Sequence, residues 1–350
     1  MFTTKLPFDL SFGSGVKKAP GMKYAERRSR KTVKLQKGEF FPYLEKKDLL
    51  LSYPFQSMSA FVEYLYEAAD DPDVVSIRIT LYRLSASSKV AAALAYAADR
   101  GKSVLCLLEL RARFDEQNNI DYSEVLEDAG CHVIYGLPEM KVHSKLCLIT
   151  RKRGESVQYF TQVGTGNYNE VTSEQYTDLS VITSDERVGR DAAQTFEALA
   201  TGQTPPETEA LWVAPLSYRS RVLELIEAET AKGEAGRIAI KVNSMNDIGV
   251  MTALIRASRA GVRTELFIRG ICCLRPGVPG LTDRIRVFSI VGRYLLPAAG
   301  RRGVYGEYHG VQRCGTVSRT FAHLRLRRGC GTAHFHRLRR SSQPQHPPPR

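Results

Sequence analysis

The sequence predicts an α/β protein of two related units, each a mostly parallel or mixed sheet flanked by helices. Three observations carry this expectation. Short runs rich in Val, Ile and Leu alternate with longer helical runs, the order that favours parallel strands joined by crossover helices. A helix, glycine, strand pattern recurs at an offset of 160 residues: Ala93, Leu94, Ala97 and Gly101 are answered by Ala253, Leu254, Ala257 and Gly261. The 350 residues are 43% hydrophobic and 25% charged, ordinary for a globular chain of about two domains.

In the first unit, Val74 to Leu84 is dense in β-branched residues and predicts a strand. Lys89 to Arg100 is an Ala-rich helix that Gly101 stops, and Ser103 to Arg113 a second strand of the buried type. Tyr122 to Ala129 predicts a helix and Cys131 to Leu137 a strand. Val142 to Thr150 and Val157 to Val163 form a hairpin turned at Arg153-Gly154. A strand from Thr177 to Thr183 and a helix from Arg187 to Ala200 follow. Gly202-Gln-Thr-Pro205-Pro206 is the linker, because glycine and paired prolines interrupt helix and strand alike. The second unit opens with the helix Arg219 to Lys232 and the strand Arg237 to Val242, then the helix Val250 to Arg259 and the strand Val262 to Arg269. Further on, Val287-Phe288-Ser289 resembles Val133-Ile134-Tyr135, the offset having become 154.

The net charge of +13 is unevenly placed. From Leu296 to Arg350 there are eleven Arg, no Lys and one acid, Glu307, so +10 lies in this tail and only +3 elsewhere. The tail also holds five of the seven histidines and shows no periodicity, which suggests out-of-frame or structureless sequence; an arginine-rich nucleic-acid arm is the alternative. No run approaches the roughly 18 apolar residues of a membrane helix, and the N-terminus lacks a signal-peptide apolar region, so a cytoplasmic protein is expected. Cys106, Cys131, Cys147, Cys272, Cys273, Cys314 and Cys330 show no C-x-x-C spacing, and neither disulfides nor a zinc site is expected.

The chemistry concentrates at His143 and Lys145. If 143 to 149 run as a strand, alternation turns both to one face and Ser144 and Leu146 to the other. An imidazole and an ammonium then share a wall, and the flanking Val142, Leu146, Leu148 and Ile149 desolvate them and strengthen their hold on an anion. Gly164-Thr165-Gly166-Asn167 can offer backbone N–H groups to phosphate oxygens as an anion nest. A neutral imidazole can attack phosphorus while Lys145 balances the charge of the transferred group, leaving a phosphohistidine. Alone, His-X-Lys in a strand or Gly-Thr-Gly-Asn in a turn is commonplace; together they point to phosphoryl transfer. His132, the other histidine before residue 309, opens an apolar run and is read as structural.

Thr80-Leu-Tyr-Arg83, Glu109-Leu-Arg-Ala-Arg113-Phe-Asp-Glu116, Lys141-Val-His143-Ser-Lys145, Gly164-Thr-Gly-Asn167-Tyr-Asn169, Tyr176-Thr-Asp178, Arg269-Gly-Ile-Cys272 and Arg275-Pro-Gly-Val-Pro-Gly280 together resemble the bacterial long-chain polyphosphate kinases. The resemblance covers roughly residues 38 to 295. It implies two catalytic domains resembling phospholipase D, and reversible transfer of the terminal phosphate of ATP to polyphosphate through a phosphohistidine. By resemblance His143 is the phosphorylated residue, and Tyr176 and Arg269 hold ATP. Arg83 and Arg113 match arginines at the Mg²⁺ and phosphate site. A guanidinium cannot ligate a cation, so both are read as phosphate clamps beside Mg²⁺, with no direct protein ligand to the metal. The implied partners are ATP or ADP and inorganic polyphosphate, with no specific nucleic acid, and intact family members are expected to form homo-oligomers. The family also leaves peripheral membrane association open beside the cytoplasm.

The expected organisation is a remnant of a preceding domain in 1–37, a first catalytic domain in 38–201, an incomplete second in 202–295 and the tail in 296–350. Family members carry a second histidine just after the match to Gly292-Arg293-Tyr294-Leu295, where this chain has Leu296-Pro297. Impaired catalysis is therefore expected. Two alternatives stand beside it. One is a non-catalytic fragment binding polyphosphate and nucleotide. The other is a phospholipase-D-like nuclease or phosphatidyl transferase, which would call for a second His-X-Lys that the other half lacks.

Overall fold

The computed structural model describes residues 29–31, 33–82, 84–85, 87–109, 116–136 and 141–289, with only the backbone of 116–119. Two sheets organise them. The first contains β1 (Leu49–Ser52), β2 (Val74–Leu81), β3 (Ser103–Leu108), β4 (His132–Tyr135), β5 (Leu146–Arg153), β6 (Ser156–Gly164) and β7 (Leu179–Thr183), in the order β1-β7-β6-β5-β2-β3-β4. β2, β3 and β4 run parallel; the remaining pairings are antiparallel. The second sheet is β8 (Arg237–Val242), β9 (Arg263–Ile268) and β10 (Ile285–Phe288), all parallel, with β9 central.

Helices α1 (Phe40–Lys46), α2 (Ser59–Asp70) and α3 (Lys89–Asp99) cover one face of the first sheet. Phe40, Phe61, Tyr64, Leu65, Val90 and Leu94 pack there on Ile77, Ile79, Cys147 and Ile149, all buried. After α4 (Glu116–Asp128) and the single turn α5 (Glu170–Ser173), α6 (Glu186–Ala200) covers the opposite face, where Val188, Ala192 and Phe196 meet Leu146, Leu148 and Val163. The alternation of Leu146 and Leu148 with Cys147 and Ile149 along β5 thus feeds two cores. In the second unit α7 (Tyr218–Thr230) and α8 (Ile248–Arg259) pack on Ile238, Ile240, Val242, Leu266 and Ile268. No described helix is long and apolar enough to cross a membrane.

The repeat extends to backbone register. Ser88 caps α3 by accepting from Ala91 N–H, and Asp247 caps α8 by accepting from Val250 N–H, each satisfying an orphan donor of the first turn. Both helices end at a left-handed glycine, Gly101 at φ +78° and Gly261 at φ +94°. Lys102 N–H then donates to Ala97 and Val262 N–H to Ala257, each at 3.0 Å. Thr80 pairs with Leu107 as Lys241 pairs with Phe267, and Cys106 with Val133 as Leu266 with Val287.

One boundary needs correction. The strand expected from Val142 begins at Leu146, because a side chain takes over the next backbone groups. Thr80 Oγ1 donates to Ser144 O at 2.8 Å and accepts from Leu146 N–H at 3.1 Å. The first sheet is mixed, as expected, and contains the expected hairpin. The two-residue turn at Gly154-Glu155 is too short for a crossover, so it reverses β5 into β6. Sequence patterning also left α1, β1 and α2 unassigned, although the buried residues of α2 span most of its surface.

Candidate active site

The carboxyl end of β2, the amino end of β5, the carboxyl end of β6 and the amino end of β7 share one edge of the first sheet, as the strand directions require. Ligands of open α/β sheets gather at the carboxyl ends of the parallel strands. The segment 142–145 crosses this edge and is held on both sides of His143. Val142 N–H donates to Oε2 of the buried Glu109 at 2.9 Å, and Thr80 brackets Ser144 and Leu146.

Lys145 is 3% exposed, so its ammonium must be solvated by the protein. It donates to His143 O at 2.5 Å and lies 2.9 Å from Nδ1 and 3.3 Å from Nε2 of the His143 ring. Only one nitrogen of a neutral imidazole carries a free lone pair, so the ammonium can donate to one of them and not to both. Tyr82 stands edge-on to the imidazole, centroids 4.5 Å apart at 67°, with Lys145 Nζ 5.2 Å from the phenol centroid. His132 is exposed at the start of β4, the opposite end of the sheet.

The Gly164–Asn167 loop lies beside this pair in a form the sequence did not suggest. Gly164 N–H donates to Lys145 O and Thr165 N–H to Leu179 O, both at 2.9 Å, so two amides of the expected nest are already spent on protein carbonyls. Neither Gly164 nor Gly166 has a positive φ. What they require is closeness: a Cβ on Gly166 would collide with the Asp178 carboxylate, and one on Gly164 would meet Gln162 Nε2 at 2.8 Å. Thr165 Oγ1 donates to Asp178 Oδ1 at 2.7 Å, locking the loop onto β7. Beneath it the buried Gln162 accepts from the Tyr168 hydroxyl and donates to Ser180 Oγ; burial pushes the Tyr168 phenol well up, which keeps it a donor.

Tyr176 and Arg269 meet across the two units, the guanidinium carbon 5.2 Å from the ring centroid. Arg269 Nε donates to Asn243 Oδ1 at 2.8 Å, and Lys241 Nζ donates to Thr177 O at 2.5 Å. Three contacts join expected site residues to one another, His143 to Lys145, Lys145 to Gly164, and Tyr176 to Arg269, and a fourth ties Thr165 to Asp178. Arg83 and Arg113 lie outside the described residues.

Two family models cover most of the chain. The model described as polyphosphate kinase C-terminal domain 1 matches residues 39–205, and that of C-terminal domain 2 matches residues 211–299. The chain belongs to the polyphosphate kinase family. A protein named polyphosphate kinase 1 from Chlorobaculum tepidum is 46% identical over 261 residues, 74% of this chain and 37% of that protein. A polyphosphate kinase from Lactiplantibacillus plantarum is 40% identical over 83% of this chain and 41% of its own length. The crystal structure of polyphosphate kinase from Porphyromonas gingivalis superposes with a TM-score of 0.65 at 37% identity, covering 72% of this chain and 42% of that one. The chain thus spans about two fifths of the length of these polyphosphate kinase relatives.

Within the polyphosphate kinase match, His143, Lys145, the Gly164–Asn167 loop and Tyr176 fall in the first segment and Arg269 in the second. Sequence reasoning missed Lys241 and Asn243 altogether. Their signal was the period-two pair Lys241-x-Asn243 at the end of a strand, polar residues on one face where the preceding Ile238, Ile240 and Val242 serve the core. Thr80, Tyr82 and Glu109 were visible as motif residues but without a role.

Proposed function

We propose that this chain carries the phosphoryl-transfer machinery of a polyphosphate kinase, with His143 as nucleophile. The observation that carries the reading is the buried Lys145 ammonium lying 2.9 Å from Nδ1 and 3.3 Å from Nε2 of the His143 ring, where the segment 142–145 crosses the carboxyl end of β2. An incoming phosphate offers the ammonium better acceptors than imidazole. Moving Lys145 to those oxygens frees a ring lone pair and neutralises charge on the transferred group in one step. The freed nitrogen forms the N–P bond as the bond from the γ-phosphorus to the bridging oxygen breaks, and ADP leaves. A terminal oxygen of polyphosphate then attacks the phosphorus and restores the imidazole; the same steps reversed make ATP. Tyr176 would stack on the base and Arg269 grip phosphate, Arg83 and Arg113 clamping the chain.

Mg²⁺ belongs to this reading as the counter-ion of ATP, lowering the charge the site must meet. The cations of the described edge, Lys145 and Arg269, suit phosphates that carry a metal and not the metal itself.

The test is incubation with γ-labelled ATP and Mg²⁺. Wild type should acquire acid-labile label that polyphosphate chases off. His143→Ala should lose it by at least about a hundredfold, and His132→Ala should keep it. Label persisting on His143→Ala, or none on wild type, overturns the reading.

A further inference from the structure

We propose that Lys241 and Asn243 are positioning residues of the nucleotide subsite, Lys241 acting through Tyr176 and Asn243 through Arg269. The proposal rests on the reading of Tyr176 and Arg269 given above. Lys241 ends β8 one residue before its last member and Asn243 follows the strand, so in extended chain the two project to the same side. Lys241 Nζ takes Thr177 O at 2.5 Å and Thr177 Oγ1 at 3.2 Å, fixing the backbone directly after Tyr176 from the other unit. Thr177 is buried, which gives that bond a definite geometry. Asn243 Oδ1 accepts from Arg269 Nε, leaving the terminal guanidinium nitrogens to face a ligand. One short pair on one strand thus aims both the ring and the cation.

The internal duplication supports this independently. By pairing register Lys241 is the counterpart of Thr80 and Asn243 the counterpart of Tyr82. Those two residues do the same work in the first unit: Thr80 bonds the backbone beside His143, and Tyr82 packs on its ring. The same two places hold the nucleophile segment in one unit and the nucleotide residues in the other. A lysine stands where a threonine suffices because its target lies on the neighbouring unit, beyond the reach of a hydroxyl.

The full chain, as Lys241→Met, Lys241→Arg and Asn243→Ala, should be titrated with Mg-ATP and with inorganic tripolyphosphate. Lys241→Met should weaken ATP about tenfold and tripolyphosphate less than about twofold, since only ATP has a base to stack. Lys241→Arg should recover most of the loss. Asn243→Ala should weaken both ligands by about fivefold, because it loosens a phosphate-binding cation. Wild-type affinities in both Lys241→Met and Asn243→Ala would overturn the proposal. So would equal loss of both ligands in Lys241→Met with a lowered unfolding temperature, which marks a strut of the fold only. Failure of the underlying reading looks different: wild type itself would bind neither ligand, and the proposal would fall with it.

Discussion

The two sheets share a backbone plan and differ at the ends of their strands. In each, the residue after the second parallel strand donates its N–H to the strand before it, Glu109 to Leu81 O at 2.9 Å and Arg269 to Val242 O at 3.4 Å. These are equivalent positions with opposite charge. Glu109 is buried and braces the segment that carries His143; Arg269 is half-buried and lies over Tyr176. Thr80 and Lys241, Tyr82 and Asn243 diverge likewise. The two units keep one hydrogen-bonded ladder, whose register is costly to alter, and differ in the side chains at its open end.

The largest effect should come from exchanging the equivalent charges. Glu109→Arg would bury a cation where Val142 N–H needs an acceptor and should lower stability by about 3 kcal/mol or more, read from the urea midpoint. Arg269→Glu should change stability by no more than about 0.5 kcal/mol while weakening ATP binding at least tenfold, about 1.4 kcal/mol. Similar costs from both would mean that the two positions are not specialised.

A smaller difference is expected at the helix-ending glycines. A Cβ at Gly101 meets nothing within 4 Å, so Gly101→Ala should cost only the left-handed penalty of about 1 kcal/mol. At Gly261 the same Cβ would lie 2.8 Å from Glu234 Cγ and 3.3 Å from Glu234 N, so Gly261→Ala should cost about 2 kcal/mol by chemical denaturation. Equal costs would show that the second unit yields there.

Acid should probe the smallest contrast. A hydrogen bond from Lys37, then one from Tyr96, holds the Asp70 carboxyl in the first unit below its ordinary value. Its contribution is therefore complete above the usual carboxylate range, near pH 4, and fades as pH falls through the depressed value. Glu229 in the second unit moves the same way, burial pushing it up but Lys232 and Arg237 N–H outweighing that. Asp70→Asn should remove about half a kcal/mol at neutral pH and flatten this acid limb. A variant that keeps the wild-type acid limb would dissociate it from Asp70.

Much of the fold was legible because its signals are local. The strand Arg237–Val242 follows from alternation alone, α3 from an Ala-rich run stopped by Gly101, and α8 from the matching pattern stopped by Gly261. The four-residue edge strand β1 carries too little pattern to be read before its partner β7 is known. The site divided similarly. His143 and Lys145 were legible as a pair, and their contact follows from their spacing. At Gly164–Asn167 two of the expected nest amides are bonded to protein carbonyls, and glycine's tolerance of unusual φ and its tolerance of close neighbours look identical in a sequence. Only the position of Asp178 separates them.

By itself, then, the sequence determined the elements, their repeat and the residue types able to carry a phosphate, all properties of neighbours along the chain or of an offset within it. The tertiary structure decided which strand ends meet. It made Thr80 set the start of β5 at Leu146, and put Tyr176 under Arg269 with Lys241 and Asn243 holding them. Those contacts join residues far apart in the chain, and no local preference encodes them. They follow from register, which fixes where every side chain at a sheet edge can reach.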